Sequence, residues 1–175
     1  MDNREWLGVT DRQAFRFFFE HLKDVTNIAE PPANELLYNA SVLAHFATTS
    51  TASQESFPAC PASLMTVFDL FVMDRSQQFG ADIMEAAGSQ CLLLTGFFQD
   101  QQKHRHQIGW YAELGMGFYD RAAASGRDPA RSRLMAAMAR HFEFWRVHQH
   151  RLAVDLRNEP HLIATVPDEE PRFPM

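Results

Sequence analysis

Apolar residues recur along this chain in steps of three and four, with hardly any stretch of strict alternation. After a Thr10-Asp11-Arg12-Gln13 capping box, Phe15, Phe18, Phe19, Leu22 and Val25 fall on one face of a first helix. Pro31-Pro32 closes it and opens a second, marked by Leu36, Ala40, Leu43 and Ala47, with Leu37 and Tyr38 widening the apolar face. From Thr48 to Ser63 small hydroxyl residues and two prolines predict a surface loop. Leu64, Val67, Phe68, Phe71 and Val72 then predict a third helix.

The centre of the chain is the stretch Cys91–Tyr119. Met84, Ala87, Gly88, Cys91, Leu92, Thr95 and Gly96 make a seam of mostly small residues, with Leu93, Leu94, Phe97 and Phe98 opposite. A helix apolar nearly all round is a buried one. Glycine inside a helix costs about 1 kcal/mol against alanine, so its recurrence on one seam predicts that another element comes close. The polar connector Gln99–Gln107 leads to a fifth helix carrying Tyr111, Leu114, Gly115, Phe118 and Ala122.

Asp128-Pro129 is the N-cap and first position of the last predicted helix, the longest of the set. Met135, Met138, Phe142, Trp145, Gln149, Leu152 and Leu156 hold heptad spacing without a break, which predicts coiled-coil-like packing. Past Asn158 come Pro160, Pro167, Pro171 and Pro174 around an acidic cluster. The expectation is therefore an all-α, single-domain bundle of about six helices over 1–158, followed by a mobile, Pro-rich acidic tail at 159–175.

Composition narrows the function classes. A chain of 175 residues is long enough for a core without staples. Its net charge of −6 argues against nucleic acid and anionic membrane as partners, and Lys103–Arg105 is too short to track phosphates. The longest apolar run, Cys91–Phe98, is far below the roughly 20 residues of a membrane span. The N-terminal residues are acidic and lack an apolar signal region, so a cytoplasmic protein is expected. Cys60 and Cys91 have no CxxC partner. Cys91 reads as an inert core thiol and Cys60 as a more exposed one.

The eight histidines raise a metal hypothesis that spacing does not support. None of the eleven glutamates has a histidine three positions later, and no two histidines stand four apart. No metal set, cofactor signature or catalytic motif is assigned: nucleotide-binding glycine loops are missing. His104, His106, His141, His148 and Glu113 are the only groups that an unrecognised enzyme would use. Glu113 and Asp120, seven apart, read as a solvated helix face before they read as paired carboxylates. His21 on the first helix is a conceivable haem ligand by analogy with glycine-kinked haem oxygenase-like bundles.

One resemblance attaches to the hairpin. Cys91-Leu92-Leu93-Leu94-Thr95-Gly96-Phe97-Phe98, followed by Trp110-Tyr111-x-x-Leu114-Gly115-x-x-x-Tyr119, resembles a group of small helical proteins of Gram-negative bacteria. Their leucine-rich Gly-Phe-Phe helix precedes an aromatic Tyr-x-x-Leu-Gly helix. Members often place proline after the double phenylalanine, where this chain has Gln99. The resemblance implies a helical fold and a bacterial, cytoplasmic setting. The group has no assigned activity, so no functional residue is carried over.

Three functional readings follow. The first is a non-catalytic protein-interaction or self-association module, a homodimer or the partner of another protein. Trp145 and Gln149 are its interface candidates, Gln149 being the one polar residue on the heptad stripe. The second is a helical binder of a small planar or lipidic ligand, lined by Phe97, Phe98, Trp110, Tyr111 and Phe118. The third is an unrecognised enzyme.

Overall fold

The computed structural model describes residues 11–52, 80–102 and 107–159. It is all-α: six α-helices, with no strand among the described residues. They are α1 (Asp11–Val25), α2 (Ala33–Ala52), α3 (Ala81–Thr95), α4 (Ile108–Ser125), α5 (Pro129–Arg140) and α6 (Phe142–Asn158). A 3₁₀ turn, Gln99–Gln101, follows α3. The expected third helix around Leu64–Val72 and the His104–His106 patch lie outside the described residues. So does the expected tail, apart from Glu159.

The helices pack as linked hairpins. α1 lies on α2, α3 on α4, and α4 on α5. α6 returns across them, touching α1, α3, α4 and α5. Trp145, Tyr111, Tyr119, Phe118 and Phe142 are the largest fully buried side chains, with Leu22, Leu43, Leu92, Met135, Met138 and Leu152 around them. These are positions of the apolar stripes read from the sequence, gathered into one core.

The glycine seam does what its spacing implies at three positions. A Cβ on Gly88 would stand 3.0 Å from the Tyr119 ring. One on Gly115 would stand 2.5 Å from Phe142 and 2.8 Å from Cys91, and one on Gly96 3.0 Å from the Arg146 carbonyl of α6. Arg146 in turn donates to the Thr95 carbonyl at 3.2 Å and to Gln99 Oε1 at 2.6 Å, fastening α6 to the end of α3. Gly109 and Gly117 meet nothing within 4 Å, so the seam reasoning does not extend to them.

Two boundaries differ from expectation. α2 runs through Thr48 to Ala52, into the segment read as loop. The Thr48 hydroxyl donates to the Ala44 carbonyl at 3.0 Å, a bond that lets a hydroxyl residue stay helical. The long last helix is also interrupted. His141 leaves helical geometry at φ −103° and ψ 17°, ending α5 and preceding α6. No glycine or proline marks that break. His141 is instead held from across the core.

Candidate functional site

Two polar arrangements stand out in this apolar interior, and both begin on α2. The first is centred on Glu35, in the first turn of α2, whose side chain is 3% exposed. The His141 Nδ1–H donates to both carboxylate oxygens, at 2.9 and 3.0 Å. The Trp145 indole N–H donates to Oε2 at 2.8 Å. One turn along α2, the Asn39 amide donates to the Glu35 carbonyl at 2.9 Å and contacts Met138 Sδ at 3.5 Å. Asn39 Oδ1 accepts from Gln149 Nε2 at 3.0 Å. A buried carboxylate is costly unless it is paired, and these donors from α6 and from the break before it supply the pairing.

The second arrangement is a groove of about 470 Å³ between α2 and α3. Tyr38, Ser41, Val42, His45 and Phe46 form one wall. They sit at i, i+3, i+4, i+7 and i+8, a single helix face. Asp82, Glu85, Ala86, Ser89, Gln90 and Leu93 form the facing wall with the same periodicity, and Arg131 of α5 closes one end. Tyr38 reaches Glu85 near the start of α3. Phe46 packs on Phe98 just past its end, with ring centroids 4.9 Å apart. The two helices therefore run in the same direction along the groove.

Its ends differ in chemistry. At the α3 N-terminal end the Arg131 guanidinium makes a two-point pair with Glu85, the Nε contact being 3.0 Å, and lies 5.6 Å from the Tyr38 ring centroid. Arg131 is half-exposed while Glu85 is only 16% exposed. The Tyr38 hydroxyl donates to the Tyr119 hydroxyl at 3.3 Å. Burial raises the pKa of both phenols, Glu85 adds to the rise, and both stay neutral across the physiological range. The Glu85 pair lifts the Arg131 guanidinium further, so it is permanently cationic. Toward the other end Val42, Phe46 and Leu93 make an apolar surface.

The residues read from the sequence as a ligand pocket are placed elsewhere, and none lines the groove. Tyr111 and Phe118 are 1% exposed and belong to the core. Phe97 and Phe98 are partly buried against each other, against Phe18 and against Phe46. Trp110 is 46% exposed, edge-on to Tyr111. The interface candidates are likewise corrected: Trp145 and Gln149 are both 0% exposed within one chain, so neither side chain is presented to a partner. Gln149 is a core hydrogen-bonding residue.

The other expectations divide. Glu113 and Asp120 are exposed on α4. Cys91 is fully buried, and burial pushes its thiol up to about 12, which removes it as a nucleophile. His21 Nδ1 donates to the Phe17 carbonyl and His148 Nδ1 to the Phe144 carbonyl, each at 2.8 Å. Among the described residues no group of three or more His, Cys, Asp or Glu is placed to hold a metal ion. No described helix is long and apolar enough to cross a membrane.

Glu35, Asn39 and Arg131 were not singled out from the sequence. Glu35 and His141 are 106 positions apart, and no local pattern joins them. His141, Trp145 and Gln149 are named from the sequence for other reasons, and only Gln149, the polar exception on an apolar stripe, hints at a buried polar contact. No family model matches the chain, and neither the curated proteins nor the solved structures contain a match to it.

Proposed function

We propose that this chain is a ligand-binding helical module whose site is the groove between α2 and α3. The ligand is an elongated amphipathic small molecule. The observation that carries this reading is the groove itself, two continuous helix faces held apart with unlike ends. Its volume suits a drug-sized molecule, and such sites combine apolar walls with a few fixed polar groups. Here Val42, Phe46 and Leu93 receive the apolar body. Glu85, Arg131 and the Tyr38 ring orient the polar end.

This is the second of the readings drawn from the sequence, moved to a different set of residues. Self-association ranks below it because the side chains assigned to the interface are inside the core. Native mass spectrometry of gently purified protein is the first test, and a retained small molecule is the expected result. Ala86→Trp, an exposed change on the groove wall, should then abolish binding of that molecule while leaving the melting temperature within about 2 °C. A clean apo protein whose uptake of amphipathic fluorescent probes is unaffected by Ala86→Trp would refute the proposal.

A further inference from the structure

Away from the groove, the geometry points to His141 as a nucleophilic imidazole that accepts a phosphoryl group on Nε2 from small phosphoryl donors. The Nδ1–H is committed to the Glu35 carboxylate at 2.9 and 3.0 Å, which fixes the tautomer. Nε2 therefore carries the lone pair. The His141 side chain is 44% exposed, whereas its carboxylate partner is buried and also holds the Trp145 N–H. With Nδ1 held by the buried anion, Nε2 is the ring nitrogen left to react on this half-exposed side chain.

Bond formation at Nε2 makes the ring cationic, and this is the state that Glu35 favours. A phosphoryl group is favoured over an acyl group by charge. Arg140, exposed and next in the chain, is the nearest cation in sequence to an incoming dianion. The site is also open, and none of the groove residues encloses it. Glu143, two residues on, would repel a dianion, but it is engaged by Arg146 at 2.8 Å.

With phosphoramidate as donor the step balances simply. The Nε2 lone pair forms the N–P bond as the P–N bond to the leaving amine breaks. The donor's nitrogen is already protonated as –NH3⁺, so ammonia leaves with that electron pair, Nδ1 keeps its proton, and the ring's new positive charge stands against the Glu35 carboxylate.

The protein contains its own controls. His21 and His148 are partly buried imidazoles whose Nδ1–H groups donate to backbone carbonyls, so they share the tautomer but lack the anion. His150 Nε2 faces Asp100 at 3.2 Å. The full chain is incubated with phosphoramidate, and acid-labile phosphohistidine is located by mass spectrometry and ³¹P NMR over time. His141 should be modified at least tenfold faster than His21 and His148 in the same molecules. Glu35→Gln should slow His141 by about tenfold or more, as loss of a carboxylate behind a histidine typically does, and leave the other two unchanged. Parity of the three histidines in the wild-type chain overturns the inference without recourse to any variant. A Glu35→Gln chain that retains the His141 rate overturns it as well.

Discussion

Gly115→Ala is the sharpest test of how closely α3, α4 and α6 are fitted together. The added Cβ would stand 2.5 and 2.6 Å from Phe142 Cζ and Cε2, and 2.8 Å from Cys91 Cβ. Carbon atoms rest at about 3.5–4 Å, so the overlap is roughly 1 Å on two sides at once. Neither neighbour has room to yield: Phe142 and Cys91 are both 0% exposed, and Phe142 leans on Tyr119 with centroids 6.1 Å apart. Overpacking costs about 1–3 kcal/mol, and a clash on two sides at once belongs in the upper part of that range, about 2–3 kcal/mol. Alanine returns about 1 kcal/mol through its better helix propensity. The net loss is about 1–2 kcal/mol, a fall in melting temperature of roughly 2–8 °C for a chain of this size. Gly117→Ala, two residues along the same helix, meets nothing within 4 Å and should be stabilising by up to about 1 kcal/mol. Thermal and urea unfolding of the pair decides the matter. Equal shifts in the same direction, or a neutral Gly115→Ala, would show that close approach is not why glycine stands there.

Removing the Glu35 carboxylate as Glu35→Ala leaves the buried Trp145 N–H without its acceptor, a cost of about 1–3 kcal/mol. Adding Trp145→Phe should cost less in that background than in the wild type, and additive urea-unfolding energies would contradict the pairing. At alkaline pH the folded chain holds protons on Tyr38, Tyr119 and Cys91 that the unfolded chain releases near their ordinary values of 10.0, 10.0 and 9.0. Fewer protons on the unfolded state means that stability falls as pH rises. The loss starts near pH 9 with a slope of up to about 1.4 kcal/mol per unit for each titrating group. Denaturation midpoints from pH 7 to 11 would show it, and a flat profile would count against the burial of these groups. Cys91, in a Cys60→Ser background, should react with a thiol reagent only as fast as the chain unfolds. Rapid labelling of the native protein would contradict its placement in the core.

Much of this architecture was legible in the chain because helix periodicity is a local signal. Leu22, Leu43, Leu92 and Leu152 were placed inward by spacing alone, and all are buried. The Gly88 and Gly96 seam likewise announced a close neighbour. What escaped was non-local. The heptad count ran straight through His141 because Met138, Phe142 and Trp145 keep facing the core on both sides of the break. That interruption coincides with a carboxylate from α2, 106 residues earlier. Thr48–Ala52 read as loop by composition, yet the hydroxyl–carbonyl bond to Ala44 accommodates it in the helix. The aromatic residues near the hairpin invited a pocket, but large side chains at helical spacing fill space more often than they line it. The groove is lined by a mixture of polar and apolar residues from α2, α3 and α5 that composition gives no reason to group.

The place of α6 has a consequence for how the molecule comes to exist. The α1–α2, α3–α4 and α4–α5 pairings join neighbours in sequence and can form early. α6 contributes Trp145 to the Glu35 carboxylate and Gln149 to Asn39, and it touches α1, α3 and α4. It is also the last described helix to leave the ribosome. Until it emerges, Glu35 lacks its indole donor and the two hairpin halves lack their common backing. In vectorial synthesis the contacts that α6 makes with α1, α3 and α4 are thus the last to become available, and burial of Trp145 against Glu35 belongs to that late step.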